Sequence, residues 1–244
     1  MKNYNGMKNQ NPWEDMDGFV AKCDKDYIFD LQASERTEQK RLYLDLPPQP
    51  FHGNVSRSKM LLLSLNPGIK VQHDYEEQLH NEEFLAENTK CLRRADDAKL
   101  FSLNDRFAGT AHNKWWRKCL TPKIDQEIHI KLFGSVTKYR DFLENNFSVI
   151  EFLGYHSEEA PGFIQRNTIP SQEYSFELVR KAVKEKKTIL IMRGKRLWIE
   201  RVSELEDYPY LTLSNAQNAT VSAKNVKSPD GKSWNEVLAL LLKM

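Results

Sequence analysis

Four short, mainly apolar runs punctuate an otherwise mixed chain: Met60–Leu65, Val149–Leu153, Thr188–Met192 and Tyr210–Leu213. Runs of this length, with turn-forming residues nearby, predict strands buried on both faces. The segments between them carry apolar residues at helical spacing. Trp115, Trp116, Cys119 and Leu120 mark one helix, and Phe176, Leu178, Val179, Ala182 and Val183 mark another. A last helix, from Ser233 to Leu242, has Trp234, Val237, Leu238 and Leu241 on one face. Upstream, Trp13, Met16, Phe19, Val20, Cys23, Tyr27, Ile28 and Leu31 predict an amphipathic helix from Pro12 to about Leu31. Residues 1–12 are polar and rich in asparagine and read as a tail. Pro47-Pro48 and the Gly53-Asn54 turn then break the chain before the first strong strand. Strands alternating with helices predict an α/β fold, three-layer α/β/α, with a central four-stranded mainly parallel sheet. The expected organisation is a tail and helical extension over 1–58 and an α/β domain over 59–244, with an insertion at about 70–105.

Composition adds bounds. The chain of 244 residues is 40% apolar and 29% charged, an ordinary globular balance. Its longest unbroken apolar stretch, Met60–Leu63, is far below the roughly 20 residues that span a bilayer. The opening Met1-Lys2-Asn3-Tyr4-Asn5 leads into polar sequence with no apolar signal region, so a cytoplasmic protein away from membranes is expected. Cys23, Cys91 and Cys119 are odd in number and scattered, which fits reduced thiols and no metal or iron–sulfur set. The net charge of +2 neither demands nor excludes a nucleic-acid partner. Local basic islands say more: Lys114–Lys118, Arg193–Arg196, and Lys224, Lys227 and Lys232. A face built from them would neutralise phosphates, although each island alone reads equally well as solvated charge.

In parallel sheets ligands bind at the carboxyl ends of the strands, so candidate chemistry is sought just after each one. The first strand runs into Asn66-Pro67-Gly68. Proline fixes φ and glycine permits close approach, so the tripeptide would hold the Asn66 carboxamide rigidly at the strand end. An amide supplies donors and an acceptor, enough to position a water or read a base edge. By itself Asn-Pro-Gly is also an excellent ordinary turn.

The stretch LLLSLNPGIK resembles the first active-site motif of the uracil-DNA glycosylase superfamily, in its mismatch-specific and single-strand-selective branches. There a strand ends in Gly-(Ile/Met)-Asn-Pro-Gly and the asparagine positions the attacking water; here Ser64 stands for the leading glycine. The segment from Arg106 to Trp116 is similar to the family stretch whose phenylalanine stacks on the extruded base, with Phe107 as the match. Packing of Phe107 under the loop is the equal alternative, and Trp115 and Trp116 read as helix anchors. The 70–105 insertion, with His73, Tyr75, His80 and Arg93-Arg94, falls outside the resemblance.

Tyr155, His156 and Ser157 follow the second strand where uracil readers carry an asparagine. The resemblance makes Tyr155 and Ser157 base-binding together with Pro67, Gly68 and Phe107, and makes His156 a hydrogen-bond donor to the departing base beside catalytic Asn66. After the third strand Arg193, Lys195 and Arg196 suit phosphate contact. After the fourth, Ser214, Asn215 and Asn218 occupy the position of the second family motif, without its proline and histidine, and Ser222 and Asn225 continue that polar surface. The implied function is a cofactor-free, monomeric DNA glycosylase that flips out a modified or damaged pyrimidine and hydrolyses its N-glycosidic bond. A role in defence against phage DNA with modified bases is conceivable. The alternatives are a nucleic-acid-binding protein of the same fold without catalysis, or an enzyme acting on a nucleotide-like small molecule.

Overall fold

The computed structural model describes residues 10–70 and 74–244; His73 lies outside the described residues. The amino-terminal part contains a hairpin, β1 (Met16–Asp17) and β2 (Val20–Ala21), then α1 (Lys25–Ala33) and β3 (Phe51–His52). β4 (Met60–Ser64) follows, then α2 (Asp74–His80), α3 (Glu82–Leu92), α4 (Ala111–Leu120), α5 (Gln126–Phe133) and α6 (Val136–Asn146). β5 (Phe147–Glu151), α7 (Pro170–Lys184), β6 (Thr188–Ile191) and α8 (Lys195–Arg201) come next. The chain closes with β7 (Leu211–Leu213), β8 (Val226–Lys227) and α9 (Trp234–Lys243).

The protein is α/β, with a six-stranded mixed sheet in the order β3-β5-β4-β6-β7-β8. The four expected strands form its parallel centre, β5-β4-β6-β7. The expectation of four strands falls short by two antiparallel edges, β3 against β5 and β8 against β7. Both edges are only two residues long, too short to leave a period-two pattern in the sequence.

Successive strand residues point to opposite faces, and two apolar layers result. Leu61, Leu63, Ile150, Phe152, Ile189 and Ile191 face Ile28, Phe176, Val179 and Trp198. Met60, Leu62, Phe147, Val149, Leu190 and Met192 face Trp116, Tyr139, Leu143 and Trp234. Local signals set the helix ends. Thr110 Oγ1 caps α4 by accepting from Asn113 N at 3.0 Å. Ser233 and Glu236 form a reciprocal capping box on α9, with Ser233 N donating to Glu236 Oε2 at 2.8 Å.

The expected helix from Pro12 to Leu31 is corrected: it begins only at Lys25. Asp17-Gly18 turns the chain, Gly18 adopting φ +59°, and the helical spacing of Trp13, Met16 and Val20 is satisfied instead by a hairpin packed on the core. Trp13, Val20, Ala21 and Ile28 belong to the same apolar layer as β5 and β6, and β3 joins the sheet. Residues before 59 therefore complete the core of the domain. Within the 70–105 insertion, α3 packs Phe84 against Phe101 and Phe107 in a smaller apolar cluster, while Leu92 and Leu100 join the two main layers. Among the described residues no helix is long and apolar enough to cross a membrane.

Candidate functional site: the crevice at the carboxyl ends of the parallel strands

β4 and β5 keep pairing beyond their regular ends. Leu153 N donates to Leu65 O at 2.9 Å, Ser157 N to Pro67 O at 3.3 Å and Ile69 N to Ser157 O at 3.3 Å. On the other side Met192 N and Arg193 N both reach Leu63 O, at 2.8 and 3.3 Å, and the chain then turns at Gly194 into α8. Gly194 adopts φ +67°, and a β-carbon there would stand 2.8 Å from Leu65 Cδ1. The sheet thus divides after Leu63, with Asn66-Pro67-Gly68 following β5 and Arg193-Gly194 departing.

Asn66 is half-buried at this division. Its Nδ2 donates to Ser157 Oγ at 2.8 Å, with longer contacts to Pro67 O at 3.4 Å and Ser157 O at 3.5 Å. Ser157 Oγ spends its own proton on Glu159 O at 2.7 Å, so it meets Asn66 as an acceptor. That chain of donors fixes the amide orientation. Asn66 Oδ1 accepts nothing among the described residues and is the acceptor the loop presents. Pro67 is buried, Gly68 is exposed, and Ser157 is an anchor beneath them.

Two residues expected in the crevice are elsewhere. Tyr155 belongs to the opposite apolar layer; its hydroxyl accepts from Ala21 N at 3.0 Å and donates to Asp24 Oδ2 at 2.7 Å. It clamps the amino-terminal hairpin and offers nothing to a base. His156 is 0% exposed. Its Nε2 donates to Pro47 O at 3.1 Å, leaving Nδ1 as a lone acceptor without partner. Burial pushes its pKa down to about 4, so it is neutral and its one donor is spent. The donation to a departing base expected from the sequence is not available in this arrangement.

The residue that sequence reasoning missed is Glu151, the last residue of β5. It is 2% exposed and pairs in register with Ser64 of β4. Both side chains point to the layer that contains Met60, Leu62 and Val149. Glu151 Oε2 is buried without a hydrogen-bond partner among the described residues. Burial raises the Glu151 pKa to about 8, with the neighbouring Ser64 hydroxyl and the Arg193 charge holding it partly down. It is therefore a protonated carboxyl at neutral pH, a donor and an acceptor on one group. Arg193, half-buried, stacks its guanidinium 5.1 Å from the centre of the Trp115 ring, which is 40% exposed. Through Arg193 the buried carboxyl is connected to an exposed aromatic surface on α4. The one available signal was a glutamate inside the apolar run Val149–Leu153.

Phe107 is buried, edge-on to Phe84 at 6.1 Å and to Phe101 at 5.4 Å. Of its two sequence readings, this is packing under the loop. His112 stacks on Phe101 at 5.9 Å, lies 5.0 Å from His52 and bonds to Ser102 Oγ at 2.7 Å. Burial, reinforced by repulsion from His156, pushes His52 down to about 3, and burial with repulsion from His52 and His156 pushes His112 well below its usual range. Among the described residues no three His, Cys, Asp or Glu side chains are placed to hold a metal.

The outer candidates divide as well. Lys195 lies over the Tyr210 ring at 5.3 Å, and Arg196 is taken up by Glu200 at 2.9 Å and Gln165 at 2.6 Å. Ser214, Asn215 and Asn218 are exposed on a loop built around Asn225. Asn225 Nδ2 donates to Asn218 O at 2.9 Å and Thr220 O at 2.8 Å, and its Oδ1 accepts from Asn215 N at 2.8 Å. Asn215 Oδ1 accepts from Gln217 N and Asn218 N. That leaves an ordered polar rim beside the end of β7.

Fold and site together define an α/β protein with polar side chains gathered at the carboxyl edge of its parallel strands. Compared with protein-family models, curated proteins and solved structures, the chain matches none of them.

Proposed function

We propose that the protein is a DNA glycosylase of the uracil-DNA glycosylase type, acting on a modified or damaged pyrimidine. The observation that carries this reading is the Asn66 carboxamide. Its Nδ2 is locked on Ser157 at the end of the central strand, which leaves Oδ1 as an acceptor with no partner among the described residues. Hydrolysis of an N-glycosidic bond builds positive charge on the sugar and negative charge on the base. A fixed amide acceptor orients the attacking water, and the DNA phosphates stabilise the sugar cation. Lys195, with the polar rim at Ser214, Asn215 and Asn218, would contact the backbone. No cofactor enters this chemistry, and phage DNA with modified bases is a fitting source of substrate.

Duplexes and single strands carrying uracil, mismatched thymine, 5-hydroxymethylcytosine or glucosylated cytosine, incubated with the protein and probed for abasic sites, test the reading. Release from at least one substrate is expected, falling about 100-fold or more in Asn66→Ala. Binding to every substrate without release sinks the glycosylase reading in favour of a nucleic-acid-binding protein. That second reading draws on Asn66 itself, since an amide positions a water but takes no proton from it.

A further inference from the structure

We infer that Glu151, Ser64 and Arg193 form a recessed site for the edge of a pyrimidine base, with Glu151 as the residue that contacts that edge. The inference rests on the glycosylase reading for the substrate class, and on the geometry of the crevice for the site.

A carboxyl buried on the core side of a sheet is costly unless its oxygens are hydrogen-bonded. Folded proteins satisfy such groups, so an orphan at the end of a strand calls for a partner, and a ligand atom can supply it. Glu151 Oε2 has no hydrogen-bond partner among the described residues, and the Ser64 side chain lies beside the carboxyl on the paired strand. The orphan sits at the carboxyl edge of β5, level with half-buried Ser64 on β4, where the sheet divides after Leu63. Arg193 Nε is a second buried polar atom without a partner, on the side of the crevice opposite β5. Two unsatisfied groups from different strands thus flank one crevice.

Their chemistry defines the ligand. A neutral carboxyl presents an O–H donor and a C=O acceptor side by side. The Watson–Crick edge of a pyrimidine presents the complement: N3 and the exocyclic group at C4 are an acceptor and a donor in 4-aminopyrimidines, and a donor and an acceptor in 4-oxopyrimidines. Arg193 adds a donor suited to the base O2, where negative charge gathers as the glycosidic bond breaks. Trp115, exposed beneath the Arg193 guanidinium, offers a ring face for stacking that buried Phe107 does not. The groups that act on Glu151 are Ser64 from β4 and the Arg193 cation after β6. On β3, His52 emerges on the same face, being paired with Val149, and is neutral.

The test is binding to duplexes whose target nucleotide carries 2′-fluorine, which blocks cleavage. Targets would be cytosine, 5-hydroxymethylcytosine, uracil and a tetrahydrofuran abasic analogue, each measured with wild type, Glu151→Gln and Glu151→Ala. Glu151→Gln keeps a donor and an acceptor and should bind within about threefold of wild type. Glu151→Ala should lose about tenfold or more on at least one base-containing duplex and nothing on the abasic analogue, provided its circular dichroism and melting match wild type. Comparison of the amino and oxo targets identifies which edge is read. Wild-type affinity should also weaken as pH rises through about 8, where the carboxyl ionises, while Glu151→Gln stays flat. Equal losses on base-containing and abasic duplexes overturn the inference, and so does an unchanged Glu151→Ala. If no substrate is ever cleaved but Glu151→Ala discriminates base from abasic site, the glycosylase reading fails and the base site stands. If cleavage occurs and Glu151→Ala cleaves like wild type, the base site alone fails.

Discussion

Two buried carboxyls, on opposite faces of the same sheet, separate a structural acid from a ligand-binding one. Asp24 and Glu151 are both raised above the usual carboxylate range chiefly by burial. Asp24 is saturated: Oδ1 accepts from Ser171 N at 2.9 Å and Oδ2 from the Tyr155 hydroxyl at 2.7 Å, with Cys23 Sγ near at 3.7 Å. Those bonds tie the amino-terminal hairpin to the start of α7 and to the segment after β5. Glu151 makes no such ties: its Oε2 is buried at the end of β5 with no hydrogen-bond partner among the described residues. Burial alone does not make a site; burial with an unmet hydrogen bond at the carboxyl edge does.

The largest effect that would sharpen this contrast is the loss of Asp24. Asp24→Ala leaves the Ser171 amide and the Tyr155 hydroxyl as buried donors without acceptors, at a cost of about 2–5 kcal/mol. Urea unfolding at pH 7 measures it. A loss under about 1 kcal/mol would mean that the hairpin is held by Trp13 and Ile28 packing instead, and the saturated acid would lose its structural role.

The same contrast explains what was legible in the sequence. The four parallel strands were readable because they are buried on both faces, so their apolar runs have no competing pattern. The Asn66 loop followed from them, since the end of a strand fixes where a crevice lies. Tyr155 and His156 follow β5 where the resemblance expects the base reader, but position after a strand does not fix which way a side chain points: the chain there stops alternating, and Phe152, Leu153 and Tyr155 all enter one apolar layer. Glu151 was invisible because its significance depends on Ser64 and Arg193, which reach it from other strands, and spacing carries no record of an unmet hydrogen bond. Phe107 was left open by sequence and settled by Phe84, a residue of the apparent insertion.

An effect of intermediate size comes from pH, and the buried histidines and the buried glutamate carry opposite signs. His52 and His156 titrate near 3 and 4 in the fold against about 6.5 unfolded. Between those values the unfolded chain binds more protons, so their contribution is intact above about pH 6.5 and is lost as pH falls toward 4. Glu151, near 8 in the fold against 4.5 ordinarily, binds more protons when folded, so its contribution is lost as pH rises from 4.5 through 8. Differences from wild type isolate each one. His52→Phe should gain on wild type by up to about 1.4 kcal/mol per pH unit as pH drops below 6.5. A difference that stays constant between pH 7 and 5 would show that His52 is not held neutral by its surroundings.

The smallest effect tests the comparison most directly, because the same change is made to both acids. Asp24→Asn cannot serve both of its partners: with the amide oxygen on Ser171 N, its NH2 faces a Tyr155 oxygen that already accepts from Ala21 N, and the tyrosine proton loses its acceptor. A cost of about 1–3 kcal/mol follows from one buried donor left unpaired. Glu151→Gln meets no such conflict. The neutral carboxyl and the amide share size and polarity, and the change takes a hydrogen-bond partner from no neighbour. At about pH 4, where the carboxyl is protonated in both the folded and unfolded wild type, the variant's stability should lie within about 0.5 kcal/mol of wild type, as for a change that breaks no bond. As pH rises above 4.5 the variant should become the more stable of the two, the gap widening up to about pH 8, because only the wild type must take up a proton to fold. If Glu151→Gln instead destabilised as much as Asp24→Asn, Glu151 would hold a structural bond after all, and the distinction between the two acids would collapse.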